Sequence, residues 1–297
     1  MTSPAARALL NTLACGVVRQ QLMLLREHEP GARTGQDPED VHDMRVATRR
    51  LRAALRTFDQ VLPADREFVD EELRWLGDGL AAVRDLDVQL ERVHALGGLE
   101  SPGDREALEA LEAALSREHT RARSELNELL DSERYAAILS HGADLLTRPV
   151  PQRAEDVTVG GAAYELVERP FRRFRKSARR LTVDSPPADF HKARKRARLL
   201  RYTVEFVGDA FPRASRRFVR RLVALQDVLG KHQDAEVALG ELREVAQRSE
   251  LSPSALFALG QLGQRYADEA AELRSQFAGA YAGVVGKRWR TLRRESG

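Results

Sequence analysis

Cysteine and lysine are both scarce in this sequence. The single cysteine, Cys15, excludes an internal disulfide bond and a metal site built from cysteine thiolates, which fits a reducing compartment. Lysine accounts for only 5 of the 48 basic side chains, so the positive charge is carried by guanidinium groups, which bind carboxylate and phosphate oxygens in a forked geometry. Long apolar runs are missing too, and the sequence therefore predicts no helix that crosses a membrane.

Motifs of catalysis are missing as well. The sequence has no Gly-rich phosphate loop ending in Lys and Ser or Thr, no His-Glu-x-x-His and no Gly-x-Ser-x-Gly. Asp85 and Asp87 have the spacing of a metal-binding pair, but two carboxylates on a helix are usually surface or ion-pairing groups. We therefore expect a protein that is not an enzyme and that uses neither a cofactor nor a metal. Residues 5–18 are mildly apolar but contain Arg7 and Asn11, which is a poor fit to a signal peptide and favours the cytoplasm.

The positive charge lies mostly in the second half of the chain. Residues 1–148 carry a net charge of −8, and residues 149–297 carry a net charge of +11. Between positions 165 and 222 there are 18 basic residues and 6 acidic ones. A local excess of this size predicts an anionic partner, or a partner domain of opposite charge. The acidic first half either offsets this charge or docks a partner of its own.

The two halves of the chain resemble each other. Shifting the sequence by 149 residues aligns His42 with His191, and the register holds without a gap from Pro38 to Leu90. Fifteen of these 53 aligned pairs are identical, where composition alone would give about four. We therefore predict a single domain over 1–297 with internal repeats at 1–148 and 157–297 and a linker near 148–156. The identical pairs include Asp40/Asp189, Arg45/Arg194, Arg49/Arg198, Arg52/Arg201, Asp78/Asp227 and Asp85/Asp234.

Helical signals dominate both halves. Clusters of Pro and Gly separate stretches of about 20–30 residues that are rich in Leu, Ala, Arg and Glu. The dipeptides Asp37-Pro38 and Ser185-Pro186 each place a capping residue before a proline suited to the first helical turn. The sequence thus predicts an all-α fold of two homologous antiparallel helical bundles, with about four helices each, related by pseudo-twofold symmetry.

The helix that begins near Pro38 carries a basic stripe. At 100° per residue, the stripe occupies an arc of about 80°, and at 1.5 Å per residue it is about 21 Å long. Its members are His42, Arg45, Arg49, Arg52 and Arg56. The opposite face is apolar, so the helix is amphipathic and its buried face is well defined.

The second half repeats this stripe on the helix that carries His191. The same angular positions hold Arg194, Arg198 and Arg201, and Lys195 and Tyr202 flank them. The preceding segment, residues 171–181, adds a third basic cluster within an arc of about 100°. That cluster consists of Arg172, Arg175, Lys176 and Arg179.

Like charges three or four residues apart destabilise an isolated helix by a few tenths of a kcal/mol per pair, so these stripes need a compensating contact. Internal carboxylates are one source, and we expect some Arg–Asp pairs that orient the guanidinium groups. The candidate carboxylates are Asp78, Asp85, Asp87, Asp227, Asp234 and Glu236. We favour an external polyanion, because the same His and Arg positions recur in both halves while most other exposed positions differ. A histidine near a helix N-terminus also suits an anion, since backbone N–H groups and the helix dipole attract one there.

These segments resemble a known family. Residues 41–58 (VHDMRVATRRLRAALRTF) resemble the first signature of the CHAD family, the conserved histidine α-helical domain. Residues 190–206 (FHKARKRARLLRYTVEF) are similar to its second signature, with Arg198 where lysine is common. Residues 83–88 and 225–237 resemble the acidic segments that follow. The resemblance covers nearly the whole chain.

The resemblance implies two helical bundles around a basic central groove or pore that binds inorganic polyphosphate. Carried over by position, the binding role goes to His42, Arg45, Arg49, Arg52, His191, Arg194, Arg198 and Arg201. Further contacts are implied for Arg50, Arg56, Lys195, Arg172, Arg175 and Arg179. Family members are often fused to a triphosphate tunnel enzyme domain or associate with polyphosphate or polyester granules. Because this sequence shows no Glu-x-Glu-x-Lys strand, we expect a free-standing binding module.

Two other functions fit the same residues. Basic helices and a pI near 9.2 also suit RNA binding, although only Tyr202, Phe171 and Phe174 lie near the stripes for base stacking. A helical scaffold that coats storage granules through protein contacts is the third interpretation.

Overall fold

The computed structural model describes residues 3–96, 101–149, 155–248 and 250–296. Within these ranges the chain forms eleven α-helices and no β-strand, so the predicted all-α fold is confirmed. The helices are α1 (Pro4–Arg7), α2 (Leu10–Thr34), α3 (Pro38–Thr57), α4 (Arg66–Ala95), α5 (Pro102–Asp131), α6 (Glu133–Asp144), α7 (Val159–Ala178), α8 (Pro187–Val207), α9 (Pro212–Arg248), α10 (Pro253–Val285) and α11 (Lys287–Ser296). In the described part of the chain, no helix is long and apolar enough to cross a membrane.

The start of α3 follows the predicted capping pattern. The Asp37 side chain accepts a hydrogen bond from the backbone N–H of Glu39, and Pro38 occupies the first turn. The chain enters α3 through a short turn because Gly35, with φ +68°, ends α2 in the left-handed conformation.

The predicted cap of α8 is wrong. Pro186 occupies the capping position and gives no side-chain hydrogen bond, while the Ser185 hydroxyl accepts from the backbone N–H of Thr182 in the preceding turn. The serine was expected to cap the helix because it precedes a proline, but the helix begins one residue later, at Pro187, and the serine stabilises the turn instead.

The helix order of the first half recurs in the second. Four long helices, α2 to α5, are followed by the shorter α6, and α7 to α10 are followed by the shorter α11. With an offset of 149 residues, Pro38 of α3 corresponds to Pro187 of α8, and both residues begin their helices. The internal repeat and its pseudo-twofold symmetry stay predictions. Residues 150–154 of the predicted linker lie outside the described residues.

The hydrophobic core does not divide at the boundary between the halves. The larger core joins α2, α3 and α4 to α7, α8 and α9, and its largest buried side chains include Phe58, Phe174, Phe190 and Phe218. A smaller core joins the end of α4 and the start of α5 to the end of α9 and the start of α10. Because burial of apolar surface stabilises both contacts, the two halves are held together at two places.

Helices α3 and α8 meet in the middle of the molecule. The hydroxyl oxygens of Thr57 and Thr203 lie 2.9 Å apart, and the rings of Phe58 and Phe206 have centroids 5.8 Å apart. These contacts at the C-terminal ends of both helices fix the angle at which their polar faces approach each other.

Candidate functional site

The polar faces of α3 and α8 line one cavity, together with α4 and α9. The cavity has a volume of about 640 Å³. Its basic and histidine side chains are His42, Arg45, Arg49, Arg84, His191, Arg194, Arg198, Arg201 and Lys231. Helix geometry explains the convergence, because residues three, four and seven positions apart share a face of each helix.

Seven of the fourteen residues that the sequence predicted for the site lie in this central cavity. They are His42, Arg45, Arg49, His191, Arg194, Arg198 and Arg201. The two histidine stripes, which are 149 residues apart in the sequence, therefore contribute to the same site.

Within the described residues, three of the six guanidinium groups in the cavity lack an acidic partner, whereas Arg45, Arg84 and Arg201 each have one. In the described part of the chain, Arg49, Arg194 and Arg198 have no carboxylate within 4 Å. The Nε atom of Arg49 is buried and has no hydrogen-bond acceptor, and that of Arg201 approaches the Glu205 carboxylate only to 3.5 Å. Buried charged groups normally have a partner, so these unsatisfied donors point to an anion that the cavity accepts from outside.

The lowered pKa values of the central guanidiniums reflect their burial and the closeness of other positive charges. Burial, together with the neighbouring guanidiniums, lowers the pKa of Arg49 to about 10 and that of Arg198 to about 9. Burial also lowers the pKa of Arg194, although the carboxylate of Asp234 opposes this effect. All three groups remain charged at neutral pH, so the cavity holds its positive charge at a free-energy cost.

Ion pairs orient three of the cations that line the cavity. Arg84 lies 3.4 Å from Glu39 and from Glu91, and Arg201 lies 3.5 Å from Glu205. The Arg45 guanidinium lies 3.0 Å from the Asp85 carboxylate, which confirms the expectation of an Arg–Asp pair at this position. Two other candidate carboxylates have different partners: Asp87 lies 2.7 Å from His119, and Glu236 pairs with Arg274. The internal carboxylates therefore neutralise only part of the stripe.

The two histidines are neutral in the ligand-free protein at neutral pH. Burial and the nearby Arg84 lower the pKa of His42. Burial, Lys195 and Arg194 lower the pKa of His191, against the effect of a 2.7 Å hydrogen bond between its Nδ1 and the Oε1 of Gln233. An anion beside either imidazole favours the protonated form, so each histidine is placed to gain a proton when an anion binds.

The sequence prediction missed two cations of the cavity, Arg84 on α4 and Lys231 on α9. Neither residue belongs to a stripe, so the pattern of like charges did not reveal them. The sequence did contain one signal near these positions, which is the aligned pair of aspartates Asp85 and Asp234. Arg84 directly precedes the first of them, and Gln233, which bonds to His191, directly precedes the second.

Three arginines predicted for the site have partners outside the cavity. Arg50 pairs with Glu205 and lies over the ring of Tyr202 at 5.0 Å. Arg52 and Arg56 share one carboxylate, that of Asp70, at 3.1 and 2.8 Å.

The remaining four predicted residues lie at the rim or on another surface. Lys195 is exposed beside His191, whose pKa it lowers. Arg172, Arg175 and Arg179 line a separate open concavity of about 740 Å³ on α7, so the structure does not bring them into the central cavity.

Comparison with known proteins identifies the family. A family model described as "CHAD domain" matches residues 16–243. Rv2226, an uncharacterized protein of Mycobacterium tuberculosis, is 30% identical over 251 residues, which cover 81% of this chain and 47% of that protein. The chain therefore spans about half the length of the curated relatives it matches.

Two solved structures have the same fold. PptA from Streptomyces chartreusis superposes with a TM-score of 0.77 at 24% identity, covering 92% of this chain and 99% of that chain. The CHAD domain from the plant Ricinus communis superposes with a TM-score of 0.75 at 28% identity, covering 94% of each chain. The family match extends over most of the residues that form the bundles and the central cavity. The chain belongs to the CHAD-domain family.

Proposed function

We propose that the central cavity binds inorganic polyphosphate and that the protein acts as a binding module rather than an enzyme. The observation that carries this proposal is the convergence of arginines from both halves on one cavity, where Arg49, Arg194 and Arg198 have no carboxylate within 4 Å in the described residues. The function implied by the family resemblance agrees with this chemistry.

A linear polyanion suits the arrangement better than a single phosphate. His42 and Arg49 are seven residues apart on α3, which places them about 10 Å apart along the helix, and His191 and Arg198 have the same spacing on α8. A chain with about one charge per phosphate meets several guanidiniums at once, and each guanidinium can bind two oxygens.

The surroundings of the cavity disfavour RNA. Base stacking needs accessible aromatic rings, but Tyr202, Phe171 and Phe174 are only 2%, 3% and 0% exposed. RNA would then be held by phosphate contacts alone, so we expect polyphosphate to compete with RNA of equal charge for the cavity.

A binding role also agrees with the side chains around the histidines. Phosphoryl transfer through an imidazole would need a group that orients the ring and an acid that protonates the leaving group. Gln233 orients His191, but neither His42 nor His191 has a carboxylate within 4 Å in the described part of the chain. Location on storage granules, which the resemblance implies, stays a prediction.

The proposal is tested by titrating long-chain polyphosphate into the wild type and into Arg49→Glu/Arg198→Glu. A hydrogen bond to a charged group contributes about 1.5–3 kcal/mol, so we expect the double variant to bind at least about 10-fold more weakly. Arg49→Gln/Arg198→Gln, which introduces no negative charge, should weaken binding in the same direction. Circular dichroism shows whether each variant remains helical.

The matched control is Arg243→Glu/Arg265→Glu, because these two arginines are exposed on α9 and α10 away from the cavity and give the same change in net charge. We expect this control to bind like the wild type after correction for net charge. Equal weakening by the cavity and control variants would mean that binding follows net charge and not the cavity, and would overturn the proposal. Tighter binding of matched RNA than of polyphosphate would assign the cavity to nucleic acid.

A further inference from the structure

A second group of arginines lies on the first turns of α9 and on α11. We call it the arginine cleft, and it consists of Arg213, Arg216, Arg217, Arg220, Arg221 and Arg288. Its side chains line two concavities, of about 440 and 380 Å³, that share Arg217 and Arg220 and therefore adjoin each other. Apart from Pro212, every residue that lines them is an arginine.

The cleft has no internal source of negative charge. Within the described ranges, none of its six guanidiniums has a carboxylate within 4 Å or donates a side-chain hydrogen bond. Exposed arginines elsewhere do find partners, as in the 2.8 Å pair of Arg121 with Glu125 on α5 and the 3.1 Å pair of Arg248 with Glu244 at the C-terminal end of α9. Since like charges at this spacing destabilise a helix, the cleft carries a repulsion that a bound anion would relieve.

The packing of α11 fixes the shape of the cleft. Trp289 stacks on Phe171 of α7 with ring centroids 3.4 Å apart and lies 5.7 Å from Phe218 of α9. Trp289 is only 7% exposed, so it anchors α11 and holds the neighbouring Arg288 beside the row of arginines on α9. The site is thus built from two helices whose relative position is set by a buried aromatic contact.

We propose that the arginine cleft is a second site that binds phosphoryl oxyanions. A set of guanidiniums matches phosphate oxygens, which accept forked hydrogen bonds. Protein interfaces are commonly centred on buried aromatic anchors and single-stranded RNA commonly stacks on aromatic rings, but the lining contains no aromatic residue. The chemistry therefore favours a compact inorganic polyanion with several charges.

The cleft is separate from the central cavity. The two sites share no lining residue, and on α9 the cleft ends at Arg221 while the cavity begins at Gln226. The proposal for the cleft rests on the same class of ligand as the proposed function. A ligand can bind in the cleft whether or not the cavity is occupied.

The test counts the equivalents of inorganic triphosphate bound at low salt, by calorimetry, in four proteins. They are the wild type, the cavity variant Arg49→Glu/Arg198→Glu, the cleft variant Arg217→Glu/Arg220→Glu, and the combination of both. We expect two equivalents in the wild type, one in each double variant and none in the combination. The control Arg243→Glu/Arg265→Glu should retain two equivalents.

The two proposals fail in different ways. A cleft variant that still binds two equivalents would overturn the second site, whereas a cavity variant that still binds two equivalents would overturn the proposed function. Since the substituted cleft arginines are exposed and their replacement relieves repulsion, we expect the variants to fold, as checked by circular dichroism. Loss of both equivalents in the cavity variant would also overturn the cleft site.

A titration with long-chain polyphosphate then shows whether the cleft binds part of a long chain or free short phosphates. A chain that occupies both sites gains affinity from the linkage, so its affinity should fall at least about 10-fold in the cleft variant. Unchanged long-chain affinity, combined with the loss of one triphosphate equivalent, would assign the cleft to free short phosphates. Either result supports the site, and an unchanged triphosphate count contradicts it.

Discussion

Replacing Arg49 by methionine removes one of the positive charges buried in the central cavity, and we expect the ligand-free protein to become more stable. Arg49 has no carboxylate within 4 Å in the described residues, and its Nε has no acceptor. Methionine keeps an unbranched apolar side chain, so the contacts of the stem are largely preserved while the charge and the unsatisfied donor are lost.

The pKa of Arg49 gives the size of the effect. Burial and the neighbouring cations lower this pKa from the ordinary range of arginine to about 10, and each pKa unit corresponds to about 1.4 kcal/mol. Because the charged form is the protonated one, a lowered pKa means that folding disfavours it by about 3 kcal/mol at every pH well below 10. Residual solvation and imperfect repacking reduce the gain, so we expect the free energy of unfolding to rise by about 1–2 kcal/mol.

The assay is urea unfolding at pH 7 followed by circular dichroism, since urea leaves the ionic strength unchanged. The matched control is Arg56→Met on the same helix, because Arg56 donates to the Asp70 carboxylate at 2.8 Å. That substitution removes an ion pair and should lower the free energy of unfolding by about 0.5–1 kcal/mol. Because 0.5 M salt screens the repulsion between guanidiniums, the gain in free energy of unfolding of the Arg49 variant should be smaller there.

A result of the opposite sign would refute this reasoning. If Arg49→Met lowers the free energy of unfolding by as much as Arg56→Met does, then the central guanidiniums are stabilised in the ligand-free protein. The cavity would then not be built around an external anion. A stabilised variant that also binds polyphosphate more weakly is the expected outcome.

Three further predictions concern ligand binding. Because the pKa values of His42 and His191 are lowered in the free protein and rise beside a bound anion, affinity for polyphosphate should increase as pH falls from 8 to 5.5. Calorimetry should find this dependence lost in His42→Gln/His191→Gln, and a wild-type affinity independent of pH would exclude the histidines. The logarithm of the affinity should fall linearly with the logarithm of salt concentration, by analogy with counterion release from nucleic acids, and a flat salt dependence would exclude a site of many ionic contacts. Arg172→Glu/Arg175→Glu should weaken polyphosphate binding less than the cavity variant does, since these residues line a different surface, and an equal loss would extend the site to α7.

The sequence predicts the fold well because helix signals are local. Asp37 and Pro38 cap and begin α3 as expected, and the same register places His191 near the start of α8. Ser185 shows the limit of this approach. A serine before a proline matches a cap, but the preceding turn offers the backbone N–H of Thr182, and the hydroxyl accepts that hydrogen bond instead.

The structure brings the first three members of the α3 stripe into the cavity and leaves Arg52 and Arg56 outside it. The helical wheel places Arg45, Arg49, Arg52 and Arg56 on one face, but a helix face about 21 Å long meets more than one neighbour. The first two line the cavity, whereas the last two face Asp70 of α4. Periodicity within one helix carries no information about which neighbouring helix supplies a carboxylate.

The two cavity cations that the sequence prediction missed lie on helices that carry no basic stripe. Arg84 and Lys231 reach the cavity because α4 and α9 pack beside α3 and α8, which is a property of the tertiary structure. The arginine cleft depends on tertiary structure in the same way, since Arg288 is 67 residues beyond Arg221 and is placed beside it by the packing of Trp289.

The most direct test of the central claim is a crystal structure of the protein with bound polyphosphate. The account predicts consecutive phosphates between α3 and α8, with oxygens within hydrogen-bond distance of Arg49, Arg194 and Arg198 and of at least one of the two histidines. Phosphate bound only on the outer surface of α7 or in the arginine cleft, with none between α3 and α8, would contradict it.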